Sequence, residues 1–177
     1  MLKRVVLNLS FAICATLLCA AAAWAQVPAY TEAGPIPPDL RSAKAIFISN
    51  GGSDGELFPD SFSGDDNRPY SQFYAALKAT GKYDLVSRPY QADFVLYLRL
   101  LVVYCPSKEA KCAGTNGLLP MFRLTIYDRQ THYVLWTITE PIESALLLKN
   151  QNRNFDAALS ALVRDFERVT GKLPANL

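Results

Sequence analysis

Asp93 to Tyr104 reads DFVLYLRLLVVY, a run whose only charges are Asp93 and Arg99. Taken two residues at a time, Phe94, Leu96, Leu98, Leu100, Val102 and Tyr104 form an unbroken apolar row, while Val95, Tyr97, Arg99, Leu101 and Val103 form a mixed one. A period of two means a strand with one dry face and one half-wet face. The β-branched and aromatic content supports strand over helix, and Cys105-Pro106 stops it. This is the expected central strand of a sheet covered on one face.

Working outward, Met121 to Asp128 and Tyr133 to Ile142 give two more strands, joined by Arg129-Gln130-Thr131-His132, a loop of hairpin length in which Asp128 and Thr131 bond the turn. Phe122, Leu124, Ile126, Val134, Trp136, Ile138 and Ile142 extend the dry face, interrupted by Glu140. Ala43 to Asn50 is a short first strand and Tyr83 to Ser87 a brief second one, with Arg88 to Ala92 as a connector. Between them, Tyr70, Phe73, Tyr74 and Leu77 recur at helical spacing, behind Asn67 as cap and Pro69 in the first turn, and Gly81 ends the helix. A last helix, Phe155 to Thr170, follows a polar break at KNQNR with Asn154 as cap; its stripe is Phe155, Ala158, Leu159, Leu162, Phe166 and Val169. The expected fold class is α+β, a two-layer sandwich in the order β-α-β-β-β-β-α, with a mixed sheet of about five strands and two helices on one face.

The chain opens with Lys3-Arg4, an apolar stretch from Val5 to Ala23, and Ala23-Trp24-Ala25. This is the pattern of a secretory signal peptide cleaved after Ala25. Residues 26–42, with Pro28, Pro35, Pro37 and Pro38, read as an extended lead-in, and 43–177 as one domain. Loss of the signal removes Lys3 and Arg4 and leaves basic and acidic residues equal, which argues against nucleic acid or an anionic membrane as a bulk electrostatic partner. Cys14 and Cys19 depart with the signal, and Leu18 before Cys19 spoils a lipid-attachment site. Cys105 and Cys112 then reach a compartment that permits disulfides, periplasmic or extracellular, and read as a structural pair worth about 2–3 kcal/mol.

Gly51 to Arg68, GGSDGELFPDSFSGDDNR, has no usable period and reads as a long solvated loop. It lies beyond a strand end and before a helix, a place where α/β proteins bind ligands. Asp54, Glu56, Asp60, Asp65 and Asp66 are the type of ligand calcium takes, although neither a calcium-hand nor a phosphate-loop pattern is present. His132 is the only histidine and falls on the hairpin turn. With no nucleophile elbow and no Cys-x-x-Cys, no catalytic residues, cofactor or metal are assigned, and an enzyme is not expected. The half-wet face carries Tyr97, Arg99, Arg123, Thr125, Tyr127, Tyr133, Leu135, Thr137 and Thr139, and Tyr and Arg are the residues enriched where proteins meet partners.

Residues 76–100, ALKATGKYDLVSRPYQADFVLYLRL, and 122–137, FRLTIYDRQTHYVLWT, resemble a signature of small exported bacterial envelope domains: a helix ending in Thr-Gly, a short strand, Ala-Asp opening the next strand, and an Asp-x-x-Thr hairpin closing on Leu-Trp. Uncharacterised periplasmic proteins and lipoproteins carry it, and the amino-terminal domain of TolB is a more distant likeness. The resemblance implies an envelope-associated accessory domain and transfers no catalytic residue. The expectation is therefore an exported domain that binds a protein, an envelope component or a second copy through its open sheet face. The alternative is a small-ligand or calcium site, hydrolytic in one version, on residues 51–66.

Overall fold

The alternating run folds as strand β3, Phe94–Tyr104, in the middle of a sheet with β1 (Ala45–Ser53), β2 (Asp84–Leu85), β4 (Leu118–Asp128) and β5 (Val134–Pro141). This computed structural model describes residues 34–55, 57–104 and 117–173. The expected signal peptide, the first part of the lead-in, Glu56, Cys105 and Cys112 lie outside the described residues. The strand order is β2-β1-β3-β4-β5. β1 runs parallel to both β2 and β3, whereas β3, β4 and β5 are antiparallel neighbours, so the sheet is mixed. Helices α2 (Arg68–Thr80) and α3 (Leu148–Val169) cover one face, as the two-layer α+β reading requires. Among the described residues no helix is long and apolar enough to cross a membrane.

The dry row does what its period demands. Phe94, Leu96, Leu98 and Leu100 are buried with Ile46 and Ile48 of β1, Phe122, Leu124 and Ile126 of β4, and the stripes of α2 and α3. Asp93, which opens β3, accepts hydrogen bonds from the Lys44 and Ala45 amides at 2.8 and 2.9 Å, tying the start of β1 to its neighbour. Those two amides hold the Asp93 carboxyl below its ordinary range. Tyr83 closes the far end of the core, tilted against Phe166 with ring centroids 5.2 Å apart and hydrogen-bonded to Thr170.

Several boundaries differ from expectation, each for a physical reason. The lead-in is not extended throughout: α1, Asp39–Ser42, is a helical turn that sinks Leu40 completely. Asn67 occupies the cap position of α2 without capping it; its carboxamide oxygen accepts from Asn50 instead. β4 starts at Leu118, because Pro120 offers only a carbonyl, taken by the Ile142 amide at 2.9 Å just past the end of β5. Tyr104 ends the dry row exposed. A register shift between Ile126 and Tyr127 pairs Val134 with Tyr127, which carries Val134 off the dry face into solvent.

The largest correction concerns α3 and the long loop. KNQNR is helical, so α3 begins at Leu148 and Asn154 is not its cap. The Asn152 side chain bonds Ser63 on both sides of its amide and accepts from Arg68, supplying from across the structure what the local sequence lacks. The loop after β1 is likewise no solvated strap: Leu57 and Phe62 are buried, and Phe58, Phe62, Phe122 and Phe155 form one aromatic cluster with centroid spacings of 4.9–6.2 Å.

Candidate functional site

The face opposite the helices is built by strand parity. Tyr97, Thr125 and Thr137 lie in one cross-strand row, and Arg99, Arg123 and Thr139 in the next, with Tyr127 opposite Val95. Arg99, Arg123, Thr137 and Thr139 are exposed, Tyr97 and Tyr127 half-buried, and Thr125 buried between its neighbours, whereas Leu135, expected on this face, is half-buried against the core. Tyr133 stands in solvent beside the hairpin turn, before β5 begins, and is not part of the strand row. At the other end of the face Leu101 and Leu119 are buried.

Two contacts organise the polar part. Gly51 sits under the Tyr97 ring: a Cβ there would lie 2.7 Å from Cζ of the ring and 2.6 Å from the Leu98 carbonyl oxygen. The ring has a reason to turn away, but the carbonyl is main chain and cannot move, so only glycine fits. Asp54, two residues beyond Gly52 and its positive φ, accepts two hydrogen bonds from Arg99, with Nε at 3.1 Å. The Asp54 carboxylate and the Tyr97 hydroxyl together hold Arg99 firmly charged.

Arg99 and Arg123 are direct cross-strand partners, an arrangement of like charges that is unfavourable on its own. Asp54 answers one of them. Among the described residues the ion pairs are Arg68–Asp156, Lys82–Glu167, Arg99–Asp54 and Arg168–Asp165, and Arg123 is in none of them. The face thus presents two guanidinium groups, one carboxylate and two tyrosine rings.

Among the described residues the acids of the loop turn to different partners. Asp54 turns onto the sheet face, Asp65 accepts from the Asn67 amide at 2.9 Å, and Asp66 accepts from the Ser53 hydroxyl. Asp60 is exposed on the turn after Phe58. Among the described residues no three Asp, Glu, His or Cys side chains converge to hold a metal. Asp128 works inside its turn, accepting from the Gln130 and Thr131 amides and the Thr131 hydroxyl, and His132 next to it takes the turn's positive φ, 59°.

Glu140 lies opposite Phe122, on the helix side of the sheet. Burial, then the hydrogen bond and the negative charge of Asp165, push it up to about 7, against the milder opposing pull of Arg164 and Arg168. A carboxyl raised in the folded state stabilises the fold below its unfolded value of 4.5, and that contribution is lost as pH rises through about 7. Glu140→Gln is therefore expected to gain stability over wild type at pH near 8 and to match it at pH near 4, by about 1 kcal/mol or less because solvent screens this partly exposed group. Urea denaturation at the two pH values measures it.

No known family profile matches the sequence, and no curated protein does. Similar solved structures include a PelC dodecamer from Paraburkholderia phytofirmans, 17% identical over 77% of this chain and 91% of that one, with a TM-score of 0.42. Lipoprotein GNA1162 from Neisseria meningitidis is 15% identical over 73% of this chain and 99% of that one, with a TM-score of 0.39. The LpoB C-terminal domain from Salmonella enterica is 15% identical over 57% and 83%, with a TM-score of 0.36. These neighbours include bacterial lipoproteins.

Proposed function

We propose that this chain is an exported accessory domain that binds a protein or other envelope component through the sheet face centred on Tyr97, Arg99, Arg123 and Tyr127. The observation that carries this reading is the pairing of Arg99 with Arg123 across β3 and β4, only one of which meets a carboxylate among the described residues. Two adjacent forks with one internal acid suit an acidic group on a partner, which Arg binds bidentately, with the tyrosine rings supplying apolar area around it. The Asp54–Arg99 pair fixes one guanidinium and leaves Arg123 to make the outside contact. Export rests on the amino-terminal sequence, and such a domain needs no catalytic residue.

A photo-reactive phenylalanine analogue placed at Thr137, in the Tyr97 row, tests the reading, with Ser160 on the exposed side of α3 as the control position. Adducts from the Thr137 position that disappear on Arg123→Glu are the expected result. Equal labelling from Ser160, or labelling indifferent to Arg123, would remove the face from consideration.

A further inference from the structure

Three consecutive leucines stand in solvent where β5 leads into α3. Leu146 is wholly exposed at 104%, Leu147 is at 65% and Leu148 at 49%. Scattered exposed apolar side chains are ordinary, but three in a row on a connection form a knob that calls for a cover. The first turns of α3 behind the knob carry Lys149 and Arg153, both exposed.

Beside the knob lies a groove of about 360 Å³ between the end of β5 and α3. Its apolar floor is Leu119, Pro141, Ala157, Ala158 and Ala161, and Glu140 and Glu143 edge it. That volume is at the small end of ligand pockets, suited to a few aliphatic side chains. The knob is apolar with basic flanks, and the groove is apolar with an acidic edge. Each feature fits the other, yet they are neighbours on one surface: Glu143 precedes Leu146 by three residues, and Asn154 of the groove wall is two turns into α3.

We propose that the leucine knob of one copy seats in the groove of a second copy and receives that copy's knob in return, making a two-fold dimer. Neighbouring complementary patches are what a self-complementary, closed interface requires. Lys149 and Arg153 of each copy then meet Glu143 of the other. A bilayer surface is the poorer occupant, because a membrane that took the leucines would bring Glu143 against anionic headgroups. The groove contains none of Tyr97, Arg99, Arg123 and Tyr127, so either interaction can fail without the other.

The test is a rescue in trans. Sedimentation velocity of the purified protein over a roughly hundredfold concentration range should show a monomer–dimer equilibrium. Glu143→Lys and Lys149→Glu, both at exposed positions, should each weaken it by about tenfold, through like charges facing across the two-fold. An equimolar mixture of the two variants should recover the wild-type affinity, since a heterodimer restores opposite charges at both contacts. A charge effect confined within one chain cannot be repaired by mixing. Ala161→Arg, which fills the groove, should abolish the dimer, with an unchanged melting temperature showing that the fold survives. A monomer at every concentration, a dimer indifferent to these changes, or no rescue on mixing would overturn the proposal. So would a monomer that binds anionic vesicles through Leu146 and Leu147 and ignores Ala161→Arg, which would assign the knob to a lipid surface.

Discussion

Phe155→Ala is expected to lower the free energy of unfolding by about 3–5 kcal/mol, the range for truncating a buried aromatic ring. Phe155 is completely buried and touches three separately coded pieces of the chain. Phe122 of β4 meets it edge-on at 4.9 Å, Phe62 of the long loop is tilted against it at 5.1 Å, and the Arg68 guanidinium lies over the ring 4.1 Å from its centroid. Removing the ring leaves a cavity walled by rigid aromatics on a sheet and a loop, which cannot collapse together without breaking β4 pairing. The measurement is a urea denaturation midpoint with an unchanged slope, and Phe155→Leu should recover part of the loss. A loss under about 1 kcal/mol would mean that the loop and helix do not share one core. The functional consequence follows from chain connectivity, because the same loop that seats Phe62 begins with Asp54, the partner of Arg99 on the opposite face.

The sheet was legible in the sequence because strand signals are local. β3 begins and ends within one residue of the alternating run, and the parity of β3 and β4 put Tyr97, Arg99, Arg123 and Thr125 on one face, where the register aligns them. The Ala-Asp opening of β3 and the Asp-x-x-Thr hairpin also carry their causes with them: Asp93 binds amides of the adjoining strand start, and Asp128 binds its own turn. The bulge at Tyr127, which no residue type announces, displaced one predicted inward residue, Val134, and Tyr104 at the strand end is another left in solvent.

What stayed hidden depends on partners distant in the chain. Lys149 to Arg153 lacks helical amphipathicity and reads as a break, yet Asn152 finds Ser63 and Arg68, residues more than eighty positions earlier. Residues 51–68 show no period because Leu57 and Phe62 enter the core singly from a loop, not in a repeating element. The same holds for the candidate site. Strand parity places the guanidinium groups, but nothing local says that Asp54 will fold back onto Arg99 or that Gly51 is there to clear the Tyr97 ring. The loop thereby joins the sheet face through its first acid.

Arg68→Ala should cost about 2–3 kcal/mol, and Arg68→Lys nearly as much, because the position uses the shape of the guanidinium and not only its charge. Arg68 is the first residue of α2, and its side chain is only 13% exposed. One nitrogen donates to the Ser63 carbonyl at 2.8 Å and to the Asn152 side chain, and the other donates to Asp156 at 2.8 Å, while the planar group rests on the Phe155 ring. A single ammonium on a flexible stem can replace one of these bonds but cannot lie flat on the ring while reaching both helix and loop. Because Asn152 holds the first turns of α3, the loss should be uneven: amides of residues 151–154 should lose hydrogen-exchange protection well before those of 159–166. If Arg68→Lys stays within about 0.5 kcal/mol of wild type, the residue is an ordinary surface charge pair and the start of α3 has another anchor. If instead both variants loosen the same turns, Arg68 is what converts a polar, non-periodic stretch into helix and sets the leucine knob in front of it.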